Sequence, residues 1–209
     1  MSAGYLAVDL GAESGRVVLG RFDGGRMSLE EVHRFSNTPV RLPDGLHWDV
    51  LRILSEIKDG LAKAVREEEI EGIGIDSWGV DFGLVDREGA LVSNPYHHRD
   101  ARTEGMMEEA FGLVGKEKIY RTTGIQFLSI NTLYQLLAMQ RSPLLEAAET
   151  MLLIPDLMNY WLTGEKACEY TNATTTQLLD LEEGGWAGDL FEGMSLPSRI
   201  LAPIVQPPN

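Results

Sequence analysis

A single cysteine, Cys168, stands in 209 residues. That excludes an intrachain disulfide and any metal site built from several thiolates, and it fits a reducing compartment. Its acidic neighbours Glu165 and Glu169 raise rather than lower a thiol pKa, so Cys168 reads as structural and not as a nucleophile. Positive charge is also scarce, with 18 Lys and Arg against 32 Asp and Glu, a formal charge of -14. Nucleic acid and anionic membrane repel such a chain, which removes nonspecific binding to either. No apolar run reaches the length of a membrane span, and the chain enters Tyr5-Leu6-Ala7-Val8 without a basic leader or cleavage site. A cytoplasmic location is the expectation. Internal repeats and low-complexity tracts are missing too.

What is present is the balance of an ordinary folded protein, 44% hydrophobic and 24% charged. The length suffices for one large α/β domain or two small ones. The chain opens with three strand-like runs, Tyr5 to Leu10, Val17 to Phe22 and Met27 to Phe35, separated by the turn residues Gly11 to Gly15 and Asp23-Gly24-Gly25. In the third run, Leu29, Glu31, His33 and Phe35 are expected on one side of the pleat. Residues 36 to 48 read as a loop ending at Asp49, a helix N-cap. A helix follows, with Leu51, Leu54, Ile57, Leu61 and Val65 as its apolar stripe and Arg52, Lys58, Lys63 and Arg66 opposite. Strands are expected at Ile70 to Ile75 and Val80 to Val85. The second half then turns helical, with candidates at 103–113, 132–140, 144–150 and 155–162 and a loop-rich, proline-bearing exit. Strand, hairpin, strand, helix, strand is an α/β order.

Two polar constellations carry chemistry. The first is Asp9-Leu10-Gly11-Ala12-Glu13-Ser14-Gly15-Arg16, a hairpin turn in which successive backbone N–H groups converge and bind an anion. Gly11 and Gly15 let the backbone approach a phosphate, Ser14 adds a hydroxyl and Arg16 a cation. Asp9, at the end of an apolar strand, is placed to hold Mg²⁺ through water. A strand-turn-strand setting excludes the strand-to-helix phosphate loop and the dinucleotide glycine fingerprint. The second is Asp76-Ser77-Trp78-Gly79-Val80-Asp81 at a strand end, where α/β folds place ligands. There Gly79 permits close approach, Trp78 offers a face to the C–H side of a sugar, and Asp76 or Asp81 accepts from hydroxyls. A loop with surface acids and a buried Trp accounts for the same residues without function. His97-His98 does not read as a metal site, since adjacent histidines diverge on an extended chain; Arg99, Asp100 and Arg102 are expected to pair among themselves at a pocket edge.

Residues 7 to 16 are similar to the first phosphate motif of the FGGY carbohydrate kinases. The segments GIDSWGVDF (74–82), YHHRDART (96–103), GIQFLSINTLYQ (124–135) and EYTNATTTQL (169–178) resemble the rhamnulokinase branch of that family. The resemblance runs from Tyr5 to about Pro203. It implies a ribonuclease H-like α/β fold of the actin-like ATPase superfamily, with a mixed sheet, an N-terminal β-hairpin and a helical second half. It also implies that residues 1–209 are a sugar-binding N-terminal domain, incomplete at its C-terminal end, whose partner is an ATP-binding C-terminal domain outside this chain. By resemblance, Mg²⁺ and ATP are the cofactors, Asp9 serves the metal, Ala12, Glu13, Ser14, Gly15 and Arg16 serve the phosphates, and Gly79, Trp78 and Asp81 serve a ketose. The reaction implied is phosphoryl transfer to a ketose hydroxyl. The His-Asp-Thr-like segment that carries the family's base is absent from the 209 residues, so no catalytic residue is assigned here. The alternatives are another kinase of the family, acting on fuculose, xylulose or glycerol, and a noncatalytic sugar-binding module.

Overall fold

A computed structural model describes residues 3–66 and 68–207. The chain divides into two compact units, one running through Val40 and resuming over Trp48–Trp78, the other made of Arg41–His47 and everything from Gly79 onward.

The first unit is a four-stranded sheet with one helix. Its strands are β1 (Ala3–Leu10), β2 (Ser14–Phe22), β3 (Met27–Ser36) and, after the short β4 (Val40–Leu42) and β5 (Gly45–His47), β6 (Ile70–Ser77). The order is β3-β2-β1-β6, with the first three antiparallel and β6 parallel to β1. Strict alternation along β1 buries Leu6, Val8 and Leu10 at 2% exposure or less while Tyr5 stays 41% exposed. The expected hairpin and third strand are therefore present. The face assignment within β3 is corrected. Val17 pairs with His33 and Val18 with Glu31, so Val32 is an extra residue in a bulge. The bulge resets the alternation, leaving Leu29 exposed at 70% while Phe35 is buried.

Helix α1 (Val50–Ala64) starts where Asp49 accepts the Arg52 N–H, 3.2 Å, as expected of an N-cap. It packs on β2 and β3. Its buried stripe is Val50, Ile53, Ile57, Gly60 and Ala64, and Leu51 and Val65 are exposed. The expected stripe is thus turned about one residue around the axis. Gly60 is the reason, since a Cβ there collides with Val17, and the helix settles with its glycine against the sheet.

The second unit is mostly helical. Strands β7 (Phe82–Val85) and β8 (Thr150–Leu153) pair antiparallel. Helices α2 (Met106–Val114), α3 (Lys116–Thr123), α4 (Thr132–Ala138), α5 (Pro143–Ala147) and α6 (Ile154–Thr163) are followed by β9 (Cys168–Glu169), α7 (Tyr170–Thr174), β10 (Leu179–Asp180), β11 (Gly185–Trp186), α8 (Gly188–Gly193) and β12 (Ile204–Val205). The candidate helix at 103–113 begins later, after a 3-10 turn at Ala101–Thr103, and α3 was not foreseen. The helix expected at 144–150 stops at Ala147, and its last residue opens β8 instead. The proline-bearing exit contains α8 and a short ladder of β12 with β9. Thr132 to Leu137 of α4 are all buried, so this helix is surrounded and its polar members need partners inside the fold.

Candidate functional site

The hairpin between β1 and β2 is short because the Gly11 N–H bonds back to the Ser14 carbonyl at 2.9 Å. Asn37, just after β3, clamps it: its backbone N–H donates to the Glu13 carbonyl and its Nδ2 to the Gly11 carbonyl, both at 2.9 Å. Ala12 and Glu13 are exposed at the tip. Arg16 Nη2 lies 2.6 Å from the Asp9 carboxylate, with both side chains nearly half exposed. Arg34, which the sequence did not single out, brings a second guanidinium within 3.5 Å of the Ser14 hydroxyl. Gly15 is also constrained by packing. It lies buried inside β2, where a Cβ would run into the Phe35 ring. Asp9 and Asp76 are register partners at the ends of the parallel pair β1–β6, so their side chains share one face of the sheet.

The second constellation divides between the units. Trp78 belongs to the first, where its ring stacks on the fully buried Trp48 with centroids 4.3 Å apart. Gly79 and Asp81 open the second. Between them Val80 has φ 70°, and the Asp81 N–H donates to the Gly79 carbonyl at 3.0 Å. An i to i+2 bond around a residue of positive φ is the rare γ-turn of the strained hand, and a β-branched residue there is a true outlier. The strand expected at Val80 therefore begins at Phe82. Such strain costs on the order of 1–3 kcal/mol and persists only where the surroundings over-determine it.

Those surroundings are polar and buried. The Thr175 hydroxyl accepts the Val80 N–H at 3.2 Å, and the Val80 carbonyl accepts the Thr132 hydroxyl at 2.7 Å and Gln135 Nε2 at 3.3 Å. Gln135 Nε2 also donates to Asp81 Oδ1 at 2.9 Å. Asp81 is 0% exposed, and its Oδ2 sits 2.7 Å from His98 Nδ1. A carboxylate only accepts, so Nδ1 carries the proton. As the structure stands, Asp81 spends its carboxylate on Gln135 and His98 and presents the imidazole rather than itself. His97, stacked against His98, is buried, which pushes its pKa down to about 4; its Nδ1 accepts the Arg99 N–H at 3.0 Å, as a neutral ring does.

Arg102 completes the set. Its guanidinium donates to the Gln135 carbonyl and to Gln135 Oε1, 2.6 and 2.8 Å, and lies 4.3 Å over the Tyr96 ring. Burial lowers its pKa to about 10, against the rise that Tyr96, Asp100 and Asp81 produce. The expected pairing among Arg99, Asp100 and Arg102 is not what forms. Asp100 gives its two oxygens to the backbone N–H groups of Arg102 and Leu46. Sequence reading missed Thr132, Gln135 and Thr175 as members of the site, although all three lie in segments it had marked. Among the described residues no group of three or more His, Cys, Asp or Glu is disposed to hold a metal.

A mixed four-stranded sheet followed by a mostly helical unit is the α/β architecture that carries these two groups of residues. Residues 4–208 match the N-terminal domain of the FGGY family of carbohydrate kinases, and the chain belongs to that family. Among its relatives, the rhamnulokinase of Oceanobacillus iheyensis is 46% identical over 207 residues, covering 98% of this chain and 44% of that protein. The rhamnulokinase of Pectobacterium atrosepticum is also 46% identical, covering 97% and 42%. The chain therefore spans less than half the length of the relatives it matches. The crystal structure of gluconate kinase from Lactobacillus acidophilus superposes with a TM-score of 0.86 at 18% identity, over 99% of this chain and 42% of that one, and this speaks to the fold alone. A ligand-bound xylulose kinase from the same organism gives 0.86 at 18%.

Proposed function

We propose that these residues are the sugar-binding portion of an ATP-dependent ketose kinase that phosphorylates the 1-hydroxyl of L-rhamnulose, in rhamnose breakdown. The observation that carries the reading is 46% identity to rhamnulokinases along nearly the whole chain. The order β3-β2-β1-β6, three antiparallel strands and a parallel fourth, supports the finer reading of a ribonuclease H-like sheet. A cytoplasmic location goes with this reading; among the described residues no helix is long and apolar enough to cross a membrane.

The hairpin's donor set fits Mg-ATP. An exposed tip at Ala12 and Glu13, the Ser14 hydroxyl and the Arg16 and Arg34 guanidiniums suit phosphate oxygens, and the half-exposed Asp9 carboxylate suits a hydrated cation. Mg-ATP, when bound, supplies the transferable phosphoryl group. Arg16 moves between two anions in this reading, giving up Asp9 as phosphate arrives. Glu13 extends from the tip, and its charge is tolerated as long as its side chain faces away from the phosphates. In the second unit, the turn at Gly79 and the Asp81-oriented His98 hold the ketose by shape and hydrogen bonds, so that its hydroxyl is positioned before transfer. The base is assigned to the end of the N-terminal domain, downstream of these residues, and the adenosine site to the C-terminal domain.

The test is a kinetic panel on the full-length protein with L-rhamnulose, L-fuculose, D-xylulose and glycerol. The expected result is a kcat/KM for L-rhamnulose at least about 10-fold above the others. Preference for another member of the panel would move the assignment within the family. Residues 1–209 alone are expected to show no sugar-dependent ATP consumption, and turnover by the isolated fragment would overturn the placement of the base.

A further inference from the structure

We propose that Thr132, Gln135 and Thr175 are positioning residues of the sugar site, whose task is to hold Gly79-Val80-Asp81 in its strained turn before a ligand arrives. The inference rests on the reading of that turn as the ketose site and adds to it the residues that act through it.

Two separate stretches of chain converge on the two peptide groups of Val80. The Thr175 hydroxyl takes the Val80 N–H while donating to the Asn172 carbonyl at 2.8 Å, so both of its hydrogen-bonding roles are fixed and the hydroxyl does not rotate. Thr132 and Gln135, one turn apart on α4, take the Val80 carbonyl from the other side. Every polar atom of the Val80 backbone is thereby tied to a side chain, and none to a strand ladder. The anchors are themselves anchored. Gln135 Nε2 donates to the Ile130 carbonyl and its Oε1 receives Arg102. Two residues beyond Thr175, Gln177 has φ 61°, a second strained position, fixed by Asn131 Nδ2 at 3.0 Å and by its own Nε2 on the Ile125 carbonyl at 3.0 Å. A Cβ on Gly79 would come within 2.7 Å of the Thr175 hydroxyl, so Thr175 also explains why the residue before the strained one has no side chain.

A turn that merely linked β6 to β7 would relax by carrying glycine at position 80. Keeping valine there and building three side-chain bonds around it yields a rigid presentation of Gly79 and Asp81, which is what a sugar pocket gains from paying ordering entropy during folding rather than on binding.

The experiment compares Thr175→Ala, Thr175→Ser and Val80→Gly in the full-length kinase, reading melting temperature, kcat, and KM for the ketose and for ATP. Thr175→Ala is expected to raise the ketose KM about 10-fold with the ATP KM within about 2-fold, and Thr175→Ser to restore it. Val80→Gly relieves the strain, so it is expected to melt at or above the wild-type temperature and still to raise the ketose KM about 5-fold. An unchanged ketose KM in Val80→Gly and in whichever Thr175 variants fold, with or without a lower melting temperature, would reduce these residues to scaffolding and overturn the proposal. A wild-type protein that neither binds nor phosphorylates any ketose would sink the kinase reading, and this inference with it.

Discussion

The hairpin of the first unit and the turn that opens the second are both short, glycine-bearing and polar, but they are held in opposite ways. The hairpin is tied at its base by Asn37 and leaves its charged groups, Asp9 and Arg16, nearly half exposed and paired with each other at the surface. The turn has its carboxylate fully buried and every backbone atom of Val80 engaged. A group meant to exchange partners must keep its present partner cheap to leave, and a surface ion pair is worth about 0–1 kcal/mol. A group meant to present a fixed shape can be locked by bonds that are costly to break. The comparison thus separates a region whose charged side chains are free to change partners from one whose shape is fixed by its own hydrogen bonds.

The sharpest way to break that contrast is Asp81→Asn. The amide keeps the shape but turns an NH₂ either toward Gln135 Nε2, a donor, or toward His98 Nδ1, which can accept it only by moving its proton to Nε2. We expect a loss of about 2–4 kcal/mol in urea unfolding of the full-length protein, together with a raised ketose KM. A loss under about 0.5 kcal/mol would mean that the turn is no more tightly held than the hairpin.

Asp9→Asn asks the converse. Its ion pair with Arg16 is exposed, so stability should change by less than about 0.5 kcal/mol. If Asp9 serves the metal, kcat should fall about 30- to 100-fold, roughly 2–2.7 kcal/mol of barrier, with the ketose KM little altered and half-saturation by Mg²⁺ moved upward. A stability loss with unchanged kcat would instead make Asp9 a structural partner of Arg16.

The same two regions show what could be read from the chain. Short apolar runs separated by glycine-bearing turns marked β1 and β2, because a strand that enters the core carries few polar residues and the chain must turn sharply between antiparallel neighbours. The bulge at Val32 was invisible, since it arises from pairing with β2 and not from any property of Val32 itself. The stripe of α1 was misplaced by one residue for a similar reason: glycine carries no hydrophobic signal, yet Gly60 faces the sheet. Glycine and acid at 79 and 81 marked the turn, but Thr132, Gln135 and Thr175 lie some 50 and 95 residues further on, and nothing local distinguishes a threonine that holds a strained peptide from one that caps a helix. Asp81 looked like a group for solvent or sugar; only the fold shows its two oxygens already taken.

The smallest effect lies away from both sites and tests whether buried charge in the second unit is always as well provided for as Asp81. Asp156, in the first turn of α6, accepts the Glu169 N–H at 3.2 Å through one oxygen, while Oδ2 is buried without a partner. Burial outweighs the bonds from Glu169, Cys168 and Leu153 and raises its pKa to about 6, against about 3.9 in an unfolded chain. The native state therefore holds a proton that the unfolded chain has already released between those values, and stability falls as pH rises through about 6. His97 works in the other direction: with a folded pKa near 4, it costs stability as pH falls from about 6.5 toward 4. Asp156→Asn should remove the first slope and leave the second. We expect the variant to be more stable than wild type by about 1–2 kcal/mol at pH 7.5 and equal to it near pH 4, as read from melting temperatures across that range. A variant less stable at pH 7.5 would show that the carboxylate is as fully compensated as the one at Asp81, and would extend the rule of the locked turn to the whole unit.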